Sequence, residues 1–258
     1  MSKLIITKMQ INGKLCTVCA HVHDQKVVEI HLKPVGVTTA LNNIYVGQVE
    51  KIAMNIQAAF VRLGQDFNGY LPLNQAEQVI YTDGRKKESA LRPGDEILVQ
   101  ISREAMKGKL PALTSNLNFS GKYLVLTSGN QKIGFSNKLS KEECRILNNW
   151  LEEERNDENR TYGIIVRTNS AEASKEEFFC ELDMLKKQYE KTVVFGRSRT
   201  CFSLLYESEP FYLTAVRNTY TKELEEIVTD IPEFYDRIKE SLEQQDSDEI
   251  RLLHLYQD

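Results

Sequence analysis

Between residues 43 and 115, apolar positions recur with the period of two that a β-strand imposes. Five runs carry it: IYVGQVEKI, AAFVRL, GYLPL, EILVQISR and LPALTS. Turn-forming residues separate them, and TDGRKKESALRPGD (82–95) predicts a long polar loop between the third and fourth. Five short strands so closely spaced predict a small Greek-key barrel. Residues 1–33 also read as strands, with KLCTVCAHV and VVEIHL joined across HDQK as a hairpin.

The second and third barrel strands carry the most informative pattern. In QAAFVRLGQDFNGYLPL (57–73), Ala59, Val61, Leu63, Leu71 and Leu73 fall on one side. Phe60, Arg62 and Tyr70 fall on the other. If the first set builds the core, two aromatics and a cation share the open face. A register slip of one residue would flip every side chain and bury an aromatic instead. An exposed aromatic pair beside cations has the chemistry for stacking nucleic-acid bases and pairing phosphates, and Lys51, Arg62, Lys107 and Lys109 are near in sequence.

From Lys122 onward the pattern turns to mixed α and β. KYLVLTSGNQKIGFS reads as two strands around Gly129. Ser140 and Glu143 form a capping box that opens a helix to about Glu154, and Ser174 with Glu177 opens another to about Glu190. ERNDENR between them is a solvated charge run, and GIIVRT a short buried strand. FSLLYES follows as a strand, then helices around 221–228 and 232–245, then a last strand, RLLHLY.

Composition narrows the class. The formal net charge is -4 over 258 residues, yet residues 207–258 hold 14 acidic and 5 basic side chains, leaving the remainder at about +5. An acidic tail makes the whole surface a poor general polyanion trap while leaving a local interface open. No apolar run approaches the roughly 20 residues of a membrane span. The start has no signal-peptide layout, and five scattered cysteines point to a reducing cytoplasm.

Catalytic equipment is hard to find in the sequence. Cys16-Thr17-Val18-Cys19 resembles a metal pair only superficially, because strand residues three apart face opposite sides. There is no glycine-rich phosphate loop, no nucleophile–histidine grouping and no strand-borne carboxylate pair suited to Mg²⁺.

Several stretches together carry a resemblance. NIYVGQVEKIAMNIQAAFVRLGQDFNGYLPL, DEILVQISREAMKGKLPALTSNLNFSGKYLVLTSGN, IGFSNKL, YGIIVRTNS and YLTAVRNTYTKELEEIVTD resemble, in collinear order, the ribonuclease E/G family. The resemblance implies an α+β chain. Residues 1–37 and 211–258 would form a discontinuous ribonuclease H-like subdomain. An OB-fold barrel of the S1 type, 38–117, would be inserted in it, and 118–210 would form an α/β domain sensing a 5′-monophosphate on RNA. Phe60, Tyr70 and Lys109 match the family's RNA-contacting S1 positions, with Tyr70 in place of a common Phe. Arg167 and Thr168 match its phosphate-gripping pair, and Gly121 and Val125 match positions lining that pocket. Where the family often has Arg after its GIS, this chain has Asn137, then Lys138, which makes a weaker or altered grip an expectation.

The resemblance implies single-stranded RNA with a 5′-monophosphate end as partner, and a role in rRNA and mRNA processing and decay. The family's Mg²⁺-binding aspartates lie in a DNase I-like domain expected after the point where this sequence stops. No cofactor is therefore expected in this chain, and homo-oligomers would form through family segments not present in it. Two rival readings stand beside this one. The first is a stand-alone RNA-binding protein of the same ancestry without hydrolysis; the second is a structural or protein-binding OB-fold module.

Overall fold

The computed structural model describes residues 2–36, 40–76, 78–84, 90–105, 108–219, 224–244 and 248–257. They form an α+β chain in two compact units, Met1–Thr38 with Glu209–Asp258, and Thr39–Ser208.

The first unit is a five-stranded mixed sheet. Strands β1 (Ser2–Ile11), β2 (Lys14–His23) and β3 (Lys26–Pro34) form an antiparallel meander. β14 (Leu224–Thr229) and β15 (Leu253–Leu255) add in parallel beyond β1, giving the order β15-β14-β1-β2-β3. Helices α4 (Phe211–Asn218) and α5 (Pro232–Gln244) bury one face. Tyr212, Val216, Phe234, Ile238 and Leu242 pack there with Leu4, Ile6, Cys19 and Ile227.

Here the expected helix around 221–228 is corrected. Its described part, LEEIVT, is a strand, because Leu224 and Ile227 reach the core only when the segment pairs with β1. Two adjacent glutamates favour helix locally, but tertiary pairing overrides so weak a preference. The helix at 211–218 was not foreseen.

The second unit begins with the barrel. β4 (Ile44–Ala53), β5 (Ala58–Arg62), β6 (Asn68–Pro72), β7 (Glu96–Arg103) and β8 (Ala112–Thr114) are joined in the order β4-β5-β6-β8-β7, and β7 pairs back onto β4. That ring is a closed five-stranded barrel consistent with an OB-fold, with β6 and β8 parallel. Val49, Val61, Leu71, Ile97, Val99 and Leu113 fill it. Gly69 is required by the close approach of β8, since a Cβ there would lie 2.5 Å from Leu113 Cδ1. Within the predicted loop, residues 85–89 lie outside the described residues.

Behind the barrel, in the same unit, stands a four-stranded sheet. It comprises β9 (Asn118–Ser120), β10 (Leu124–Thr127), β11 (Ile133–Phe135) and β12 (Gly163–Val166), ordered β11-β12-β10-β9. Both capping boxes form: Ser140 Oγ accepts from Glu143 N–H, and Ser174 Oγ from Glu177 N–H, each at 3.2 Å. The first helix breaks at Leu151 into α1 (Lys141–Trp150) and α2 (Glu152–Asn156). The second, α3 (Lys175–Ser198), outruns its expected end near Glu190. Its later turns stay anchored by buried Thr192 and Gly196, the latter tight against Leu98 of the barrel. β13 (Leu204–Tyr206) then adds onto β4. Among the described residues no helix is long and apolar enough to cross a membrane.

Candidate nucleic-acid interface

The barrel face develops directly from the strand period. Ala59, Val61 and Leu71 are fully buried, and the residues between them point away from the core. Phe60 on β5 pairs with Tyr70 on β6, their rings meeting edge to face at 6.3 Å and 73°. Both stay half-buried, so each ring keeps an accessible part. Lys51 on β4 also pairs with Phe60, and its ammonium lies 4.8 Å from the ring centre.

Arg62, two residues on, shares this face. Its Nη2 donates to Gln48 Oε1 at 2.8 Å, and its guanidinium carbon lies 4.9 Å from the Phe202 ring centre. Lys109 is exposed, on the segment leading to Pro111, whose carbonyl accepts from Tyr70 N–H at 2.9 Å. Lys107 lies outside the described residues.

A second group gathers at the edge of the four-stranded sheet. Arg167 follows β12; its N–H donates to Tyr123 O at 2.8 Å and its Nη1 to the Gly121 carbonyl. Thr168 Oγ1 shares a 2.9 Å hydrogen bond with Ser136 Oγ. Val125 pairs with exposed Ile165 on the side away from the core. Lys138 donates its N–H to Ser136 Oγ at 3.3 Å and leaves its side chain exposed, as does Asn137. Gly121, Arg167 and Thr168 are thus brought together, with Val125 and Lys138 flanking them.

Two residues that sequence reasoning missed organise this edge. Ser136 holds Thr168. Glu181, on α3, receives the backbone N–H groups of Lys122, Tyr123 and Leu124 at 2.7, 2.8 and 2.7 Å. Burial pushes its carboxyl up from the ordinary glutamate range, against the pull of those donors and of Arg167. Its carboxylate also fills the space a side chain at 121 would need: a Cβ there would lie 2.7 Å from Glu181 Oε2 and nearer still to Oε1. Nothing in the sequence spacing marks a helical glutamate as the partner of a loop 60 residues upstream. At the start of α3, Glu177 occupies the first turn, with its N–H committed to Ser174 and its carboxylate to Ser174 N–H. Glu176 and Glu177 thus put negative charge in the first turn of α3.

Among the described residues no group of three His, Cys, Asp or Glu side chains is placed to hold a metal ion. Cys19 lies in the helix-side core, where burial pushes its thiol up to about 12.

The sequence has relatives among known proteins. The chain is 28% identical over 245 residues to ribonuclease E of Haemophilus influenzae, covering 92% of this chain and 26% of that protein. It is 29% identical over 209 residues to ribonuclease E of Synechocystis, covering 78% and 30%. It is 28% identical over 220 residues to ribonuclease E of Escherichia coli, covering 83% and 20%. The chain thus spans between a fifth and a third of the length of these relatives. Residues 118–258, which hold the Arg167 edge, all of α3 and the closing strands, match the ribonuclease E/G family as a whole, and it is to this family that the chain belongs.

Proposed function

We propose that these residues are the RNA-recognition portion of a ribonuclease E/G-type endoribonuclease acting in rRNA and mRNA processing and decay in the cytoplasm. The barrel face holds single-stranded RNA, and the Arg167 edge reads a 5′-monophosphate. Cleavage falls to a metal-dependent domain outside these 258 residues. The observation that carries the reading is the paired Phe60 and Tyr70, outward on a closed barrel with Lys51 over one ring, in a chain of this family. Aromatic rings stack any base and the cation answers the phosphate, which is the chemistry of sequence-tolerant single-strand binding. Residues 38–117 serve as the S1 element, 118–210 as the sensor, and 1–37 with 211–258 as a ribonuclease H-like support.

At the sensor, a guanidinium fork and a hydroxyl offer several donors to a monophosphate, while a 5′-hydroxyl brings no charge to meet them. Arg167 already donates to Gly121, so phosphate binding must share or exchange that bond. The test is competition among 3′-labelled RNAs that differ only at the 5′ end: monophosphate, hydroxyl or triphosphate. Wild type should prefer the monophosphate about tenfold or more, and Arg167→Ala should bind all three alike. Equal binding by wild type removes the sensor, and absence of salt-dependent RNA binding removes the whole reading.

A further inference from the structure

The outward face of the barrel is a grid. One row is Lys51–Phe60–Tyr70, and the next is Gln48–Arg62–Asn68, paired strand to strand. Two residues along β5 and β6 separate the rows, about 6.6 Å, while a register shift between Val49 and Lys51 makes the spacing three on β4. The first row supplies the stacking pair, and the second centres on a guanidinium that already has a ring beneath it.

That ring belongs to Phe202, which reaches the barrel from the far end of the unit, beyond α3. Phe202 N–H donates to Val46 O at 2.7 Å, and Val46 N–H donates to Ser203 O at 3.0 Å. Its backbone is left-handed, with φ of 72°, an uncommon and costly conformation for a phenylalanine. The residue is nevertheless 36% exposed. A strained backbone here presents an aromatic ring at the surface instead of burying it. Arg62 is held twice: its Nη2 donates to Gln48 Oε1, and its guanidinium carbon lies over the Phe202 ring, 4.9 Å from the ring centre.

We propose that Phe202, Arg62 and Gln48 form a second base-stacking station, one row beyond Phe60 and Tyr70. The proposal rests on the RNA-binding reading above and extends it by one nucleotide. A base lies on the open face of the Arg62 guanidinium, making a three-layer stack of base, guanidinium and phenyl ring. Both contacts in that stack are favourable, because the guanidinium plane stacks on π-systems and its charge is drawn to the ring face. Gln48 uses one of the five guanidinium donors, leaving others for the adjoining phosphate.

The experiment measures affinity for 5′-hydroxyl oligouridylates of increasing length at several salt concentrations, with thermal unfolding of every variant in parallel. Phe202→Leu keeps an apolar side chain on the barrel but removes the π-face. It should weaken binding about tenfold at lengths that span both rows. It should leave the shortest binding oligonucleotides and the slope of log affinity against log salt unchanged. Phe202→Trp should restore affinity. Arg62→Ala should weaken binding and also lower the salt slope by about one, since it removes a phosphate contact as well. If Phe202→Leu binds every length like wild type while Phe60→Ala binds weakly, the second station is wrong and the barrel reading stands. If Phe60→Ala also binds like wild type, the barrel reading itself has failed.

Discussion

Replacing Gly121 with alanine should destabilise the second unit, and the structure sets the size of the effect. The new Cβ would lie 2.7 Å from Glu181 Oε2 and closer to Oε1, where ordinary contact is about 3.4 Å or more. The carboxylate must therefore retreat by roughly 1 Å. Its three N–H contacts of 2.7, 2.8 and 2.7 Å would stretch past any useful hydrogen bond. Hydrogen bonds to a charged acceptor contribute about 1.5–3 kcal/mol each, and the displaced groups regain part of that from water. Gly121 is not at positive φ, so alanine also brings a backbone gain of about 0.4–1 kcal/mol. The net cost should be about 2–3 kcal/mol. Urea unfolding followed by fluorescence reports on this unit, because the single tryptophan, Trp150, packs 5.4 Å from Phe178 of α3. The decisive comparison is a double-mutant cycle. In a Glu181→Ala background, Gly121→Ala should be neutral or slightly stabilising. The same cost in both backgrounds would refute the reasoning and return Gly121 to a role set by a ligand alone.

Other outcomes follow from the same geometry. Phe60→Ala and Tyr70→Ala should each weaken single-stranded RNA binding by roughly 1–3 kcal/mol with unfolding temperatures little changed; folded variants with wild-type affinity would remove the platform. The purified chain should not cleave RNA with Mg²⁺ or Mn²⁺, and cleavage abolished by changing one Asp or Glu within it would overturn the division of labour. Burial raises the folded-state pKa of Glu181 above its unfolded value. Its titration therefore contributes stability fully below the unfolded pKa and loses it as pH rises through the folded one. The stability of wild type relative to Glu181→Gln should accordingly fall as pH climbs above the ordinary glutamate range. A difference that grows with pH would show that the three N–H donors outweigh burial.

The parts of this architecture that rest on local rules were legible in the sequence. Strand alternation placed Ala59, Val61 and Leu71 inside and Phe60, Arg62 and Tyr70 outside, and two capping boxes marked the starts of α1 and α3. The parts set by distant partners were not. LEEIVT became a strand because β1 was waiting for it, and α3 ran on because Gly196 met the barrel. At the candidate site, the sequence offered Arg167 and Thr168 but not Ser136 or Glu181, whose positions depend on loops brought together only in the fold. Phe202 was invisible for another reason: a left-handed phenylalanine contradicts every local preference, so only its tertiary hydrogen bonds explain it.

The parallel pairing of β1 with β14 also sets a timetable. Ser2 meets Leu224, with the entire barrel unit between them in the chain. At about 5–20 residues per second, a ribosome delivers β14 roughly ten to forty seconds after β1. The barrel strands are all made within that interval and have a core of their own to close around. The meander of β1 to β3 meanwhile waits with an unpaired edge and with Leu4 and Ile6 uncovered, since α4 and α5 are also late products. Loop closure over such a length adds only slowly to the entropic cost, so the finished sheet loses little stability by it. The cost falls instead on the nascent chain, whose first-made strands are the last to be sealed and the most open to pairing with a neighbour.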